Sequence, residues 1–385
     1  MMYAARGGPS WATDDAAWGV RGVKRHLALL RMVSVGILMC AASGPVLAQS
    51  PAHTPQPSVR AGYQPPRAAD GHPDLAGVWT NATTTPLTRP STYGDKLVLS
   101  DDEVEKLEGD TSKRNARQNA PTSAELQKDW SKIGLKPDTL DECRSGSTGA
   151  ACGYNAFWTD PGNLVMRVNG RGRSSLITYP ANGRMPARVA RSGNGGAVEA
   201  SEESGGAGRN DNPEERGLGE RCIYMAGPSG PVMVHTLYNN NYQFVQTKDY
   251  AVIWVEMIHE LRIVHLNAKH RTDGVRPWGG DSIGWWDGDT LVVETVGYNP
   301  EQSVRGGGPK LKTTERFTRV APDRLHYAFN VEDPDTWVEP WGGEYEFAAV
   351  KGHVYEYACH EGNYGLTGIL AGGRQADRAK ATAGK

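Results

Sequence analysis

The stretch YNNNYQFVQTKDYAVIWVEMIHELRIVHL, residues 238–266, decides the fold. Tyr242 to Gln246, Ala251 to His259 and Leu261 to Leu266 are rich in β-branched and aromatic residues, and Thr247, Lys248 and Asp249 punctuate the first gap. The stretch therefore reads as three consecutive strands. In the middle run Ala251, Ile253, Val255 and Met257 alternate with Val252, Trp254, Glu256 and Ile258. Side chains on a strand repeat with period two, so the first set lines one face and His259 ends its row. The second face sets Trp254 beside Glu256. A strand apolar on both faces is expected at the centre of a sheet, where its polar residues would line a cavity.

On the C-terminal side, WWDGDTLVVE at 285–294 is a hairpin signal, with Asp287 and Gly288 at the turn. Lys312 to Val320 and Leu325 to Val331 form a second pair around residues 321–324. Leu325, Tyr327, Phe329 and Val331 are expected to face inward, and His326, Asn330 and Glu332 to face water. Tyr345–Val350 and His353–Cys359 are expected to pair around Lys351 and Gly352. Short turns between successive strands give a mainly β fold, an antiparallel up-and-down meander closing into a lipocalin-like barrel or a sandwich.

On the N-terminal side the segments are less strand-like. Ser100, with Glu103 three residues on and acids between, signals a helix start. Two strands are expected at Leu164–Val168 and Ser174–Tyr179. Residues 49–70 read as a disordered linker, 192–219 as a mobile glycine-rich loop and 376–385 as a disordered tail, around a single β-rich domain over 71–375. Gly77 and Trp79 resemble the Gly-x-Trp opening strand of lipocalin-like barrels, in which the indole plugs the closed end.

Lys24, Arg25 and Arg31 precede the apolar run MVSVGILMC at 32–40, and small residues lead to Ala48. That is the pattern of an N-terminal extension and secretory signal peptide cleaved near Ala48, so a periplasmic or secreted protein is expected. The run is too short for a membrane span. Export also removes Cys40 and leaves Cys143, Cys152, Cys222 and Cys359. An even number in an oxidising compartment implies two disulfides, Cys143–Cys152 across a short loop and Cys222–Cys359 across a long one. A zinc site is the rival use, but no C-x-x-C spacing exists. Residues 1–48 carry five basic and two acidic side chains, so their removal leaves 37 basic against 42 acidic groups. A nucleic-acid partner needs a basic footprint and is not expected.

The strings ERC at 220–222, YNNNY at 238–242, GDS at 280–282, WDGDTLVVET at 286–295, ERF at 315–317 and YACHEGNYGL at 357–366 resemble those of a large group of secreted bacterial proteins of unknown function. The resemblance covers most of residues 70–375. It implies an exported, β-rich protein and carries no catalytic assignment.

The densest polar cluster is CHEGNYG at 359–365. A disulfide-anchored strand end that delivers His360 and Glu361, joined by His259 and Glu256, would suit acid–base catalysis by a lyase, isomerase or hydrolase. Against this stands a capped turn whose polar groups bind only the backbone. His259 and Glu260 do not begin a zincin motif, since H-E-x-x-H would need a histidine where Ile263 stands. A zinc or copper site from His259, His265 and His360 with Glu256 or Glu361 is the lesser reading, and no cofactor is expected. Eleven Trp against five Phe favour a pocket for an aromatic or sugar-like ligand. Tyr238, Asn240, Tyr242, Trp254, Trp285, Asn363, Tyr364 and Arg221 are its candidate residues. The leading expectation is an interior site for a small, partly apolar ligand, and the acid–base enzyme is the alternative.

Overall fold

The computed structural model describes residues 57–119, 159–190, 212–300 and 305–383. Contacts divide the chain into two units, Ser50–Lys385 and Met1–Gln49, the second of which lies outside the described residues. So do the expected signal peptide, Cys143, Cys152 and most of the expected 192–219 loop.

The described strands are β1 (Gly77–Thr80), β2 (Arg167–Val168), β3 (Arg171–Gly172), β4 (Ile177–Tyr179), β5 (Asn241–Gln246) and β6 (Tyr250–Val255). They continue with β7 (Leu261–Leu266), β8 (Asp281–Asp287), β9 (Thr290–Val296), β10 (Lys312–Ala321), β11 (Arg324–Glu332) and β12 (Trp341–Ala349). Three helices accompany them: α1 (Asp101–Gln118), α2 (Ala226–Ser229) and α3 (Tyr364–Ala383). From β5 to β12 each strand pairs with its successor, and β1 pairs with both β5 and β12, closing a nine-stranded barrel. A ring of purely antiparallel steps needs an even number of strands, because direction must alternate. Nine strands therefore require a parallel step, and β7–β8 supplies it after the long connection 267–280.

The inward set is apolar and contiguous. Trp79, Tyr242, Phe244, Ile253, Val255, Val264, Val293, Phe317, Tyr327, Tyr345 and Phe347 belong to one core. Trp79 donates from Nε1 to the Leu75 carbonyl at 3.1 Å, and the Arg319 guanidinium lies 5.4 Å from its ring centroid. The Asp287-Gly288 signal becomes the β8–β9 hairpin, with Asp287 opposite Thr290 and Gly288 at φ +59°. Ser100 and Glu103 form the expected reciprocal cap on α1, with Ser100 N donating to Glu103 Oε2 at 2.7 Å.

Several expectations are corrected. β6 stops at Val255, because Ile258 and His259 take left-handed φ of 56° and 44° and turn residues 257–259 into a 3-10 turn. Met257 and His259 therefore do not extend a strand face. The second face of β6, with Val252 and Trp254, is the outside of the barrel and not a cavity wall. Residues 353–359 form no strand. His326 and Asn330 are buried, because the segment bearing β2–β4 covers the outer faces of β11 and β12. There Glu344 accepts from Arg173 Nη2 at 2.6 Å and lies 2.9 Å from His326 Nε2. Residues 60–70 lie on the barrel, with Arg60 N donating to the Val320 carbonyl at 3.0 Å and Arg67 paired with Asp289 at 2.6 Å. Residues 376–383, read as tail, belong to α3.

Candidate functional site at the disulfide

One end of the barrel is entered by residues 225–234, which carry α2. Their backbone is stitched to interior side chains: Tyr242 Oη donates to the Pro228 carbonyl at 3.1 Å and Asn81 Nδ2 to the Met233 carbonyl at 3.0 Å. Tyr224 Oη donates to the Gly230 carbonyl, and Met233 N donates to Tyr327 Oη at 3.2 Å. Val232 and Met233 join the core, so chain and core side chains together occupy the interior.

Beneath this segment lies an ionic centre. Arg262 pairs with Glu315 at 2.5 Å, their side chains 3% and 0% exposed, and Tyr327 Oη donates to Glu315 Oε1 at 2.8 Å. Burial favours loss of the Arg262 proton, but the adjacent carboxylate outweighs it and the guanidinium pKa is raised.

The base of the inserted segment is fixed covalently. Cys222 and Cys359 form a disulfide across 137 positions, the expected long-range bridge. Beside it lies a cleft of about 330 Å³ lined by Glu220, Cys222, Tyr357, Cys359, Gly362 and Asn363 among others. Asn363 Nδ2 donates to the Glu220 carbonyl at 2.7 Å, and Arg216 holds the Glu220 carboxylate at 2.6 Å. His259 Nδ1 lies 3.1 Å from the carbonyl of Tyr357, a residue of the cleft lining. A carbonyl only accepts, which places a proton on Nδ1.

The turn concentrates backbone strain. Positive φ is rare outside glycine, and a β-branched residue there is an outlier that must be held by its surroundings. At Ile258 the side chain is buried in the core, while His259 is exposed and faces Tyr357. The following residue, Glu260, is half-buried, and that burial raises its pKa against the opposing charges of Arg262 and His259. Glu260 is the titratable group of this turn that sequence reading passed over, since nothing local to His259 and Glu260 signals desolvation.

The sequence-derived candidates scatter around this frame. Asn363 lines the cleft, and Arg221, beside Cys222, is half-buried. His360, Glu361 and Tyr364 are exposed. Glu256 is buried and accepts from Asn241 Nδ2 at 2.8 Å, which ties the start of the turn to β5. Asn240 is buried and bound to the Asp160 and Thr236 carbonyls. Tyr242 belongs to the core and Tyr238 packs against it, whereas Trp254 and Trp285 are outside the barrel. Among the described residues no group of three or more His, Cys, Asp or Glu is placed to hold a metal ion, and no helix is long and apolar enough to cross a membrane. Comparison of the chain with protein families, curated proteins and solved structures returns no match.

Proposed function

We propose that this protein is an exported, disulfide-stapled β-barrel that binds a small, partly apolar ligand in the cleft beside Cys222–Cys359. The cleft carries the reading: its 330 Å³ lies at the small end of the roughly 300–1,000 Å³ of ligand pockets. Its lining brings Tyr357 and the disulfide together with Glu220 and Asn363. The crowded interior favours this cleft over the barrel lumen as the ligand's seat. The disulfide is consistent with export, and the residues at 24–48 provide the signal for it.

Titration with phenols, aromatic acids and glycosides, followed by saturation-transfer NMR, tests the reading. Gly362→Trp should fill the cleft and abolish binding without changing the melting temperature, because nothing but the Ala358 carbonyl, 3.8 Å away, stands near a Cβ there. Undiminished binding by that variant would move the site elsewhere. Absence of binding by the whole panel would remove the reading.

A second reading, acid–base catalysis, draws on the raised Glu260 pKa beside the strained His259 turn. A bell-shaped pH–rate profile whose carboxyl limb vanishes in Glu260→Gln would support it. A profile unchanged in that variant would count against it.

A further inference from the structure

The outside of the barrel is not uniformly polar. Val245 on β5, Tyr250 on β6, Leu261 and Ile263 on β7 and Trp285 on β8 are each 38–52% exposed. Val252, Trp254 and Ile283 lie among them and are partly exposed. The strand register makes these one surface. Val245 stands opposite Val252, and Val252 opposite Ile263. Trp254 stands opposite Leu261, and His265 links Tyr250 to Ile283.

On β5–β7 the one charged side chain, Arg262, turns inward to Glu315. On β8, Asp281 and Asp287 share the outer face of Ile283 and Trp285, and each is paired, Asp281 with His270 at 2.8 Å and Asp287 with Arg316 at 2.6 Å. At the border Lys248 and Asp249 neutralise each other at 2.6 Å. Charge depletion with aromatic enrichment is the composition of an interface centre, and scattered exposed hydrophobics do not make such a patch.

We infer that this face of β5–β8 is the contact surface of a homodimer, packed sheet against sheet across a two-fold axis. Its size fits. Eight partly exposed large side chains offer roughly 500–600 Å² of apolar surface, and a rim of Gln243, Thr247 and His265 brings this toward the roughly 800 Å² per partner of a stable interface. Its charge selects the occupant. A neutral surface gives no attraction to anionic lipid or to a charged macromolecule, and imposes no repulsion on a copy of itself. A two-fold operation also lets Lys248 of one protomer meet Asp249 of the other. Sheet faces that pack on one another do so at an angle of about 30° or near 90°.

The purified chain should sediment at twice its monomer mass at about 10 µM, and Ile263→Lys should shift dissociation to at least tenfold higher concentration. The substituted side chain is solvent-exposed, so the circular dichroism spectrum and melting temperature should stay unchanged at concentrations where both forms are monomeric. Mixing Ile263→Lys with Ile263→Asp should restore the double mass, a result that general destabilisation cannot give. A monomer at 100 µM would overturn the inference. Flotation of that monomer with phosphatidylcholine vesicles would overturn it too and assign the face to lipid.

Discussion

Two buried side chains set the sharpest demands on this fold. Arg262 and Glu315 neutralise each other in the barrel interior, and removal of one leaves the other as an uncompensated buried charge. Arg262→Leu should destabilise by about 3–5 kcal/mol in urea unfolding, whereas Arg262→Leu with Glu315→Met should cost much less. A double variant as damaged as the single one would show that the pair does more than neutralise itself. His235 makes the opposite demand. Burial, aided by Arg305, lowers its pKa from 6.5 to about 4, and its Nδ1 is buried without a hydrogen bond. The unfolded chain thus binds the proton more readily than the folded one. The contribution of the neutral ring is intact above pH 6.5 and is lost as pH falls toward 4. The loss is at most about 3 kcal/mol, less for the water that reaches this half-buried ring. Unfolding at pH 7.5 and 5 should differ less in His235→Phe than in the parent chain.

Among the elements, hairpins were the most legible in the sequence. The β8–β9 and β10–β11 pairs have local turns and clean alternation, and both formed where those signals stood. The disulfide was legible because the expected export and the count of cysteines constrain it without any geometry. What failed depended on distant partners. Nothing local to Ile258 announces a left-handed turn, which is held by the hydrogen bond from Asn241 on β5 to Glu256 and by the core that receives the isoleucine. His326 read as exposed, since period two gives the face of a strand but not what will lie over that face. Residues 225–234 gave no sign of entering the barrel, and their position shifts the proposed site from the lumen to the cleft. The disulfide at their base should contribute about 4–5 kcal/mol by the chain-entropy account. Cys222→Ser with Cys359→Ser should lose that amount in chemical unfolding. An unchanged midpoint would mean that the cap is held by packing alone.

At the scale of the whole molecule, the odd strand count puts one weak seam in a foreseeable place. The parallel step holds β7 to β8 through two residue pairs, His265 with Ile283 and Leu266 with Gly284, whereas β10 and β11 pair along nearly their whole length. Amide hydrogens of 281–284 should exchange faster than those of 325–331 under native conditions. Equal protection would mean that the ring opens only as one cooperative unit. The disulfide bears on the same ring. It encloses residues 222–359 and thus eight of the nine barrel strands, all but β1, in one covalent loop. The four-residue β1 is the keystone, supplied from outside that loop and wedged between β5 and β12. Residues 212–383, produced alone with the disulfide formed, should therefore be a barrel with an open slot. A separately synthesised 57–190 fragment should be able to fill it in trans, making the protein a two-piece reporter whose halves reassemble without any added fusion partner.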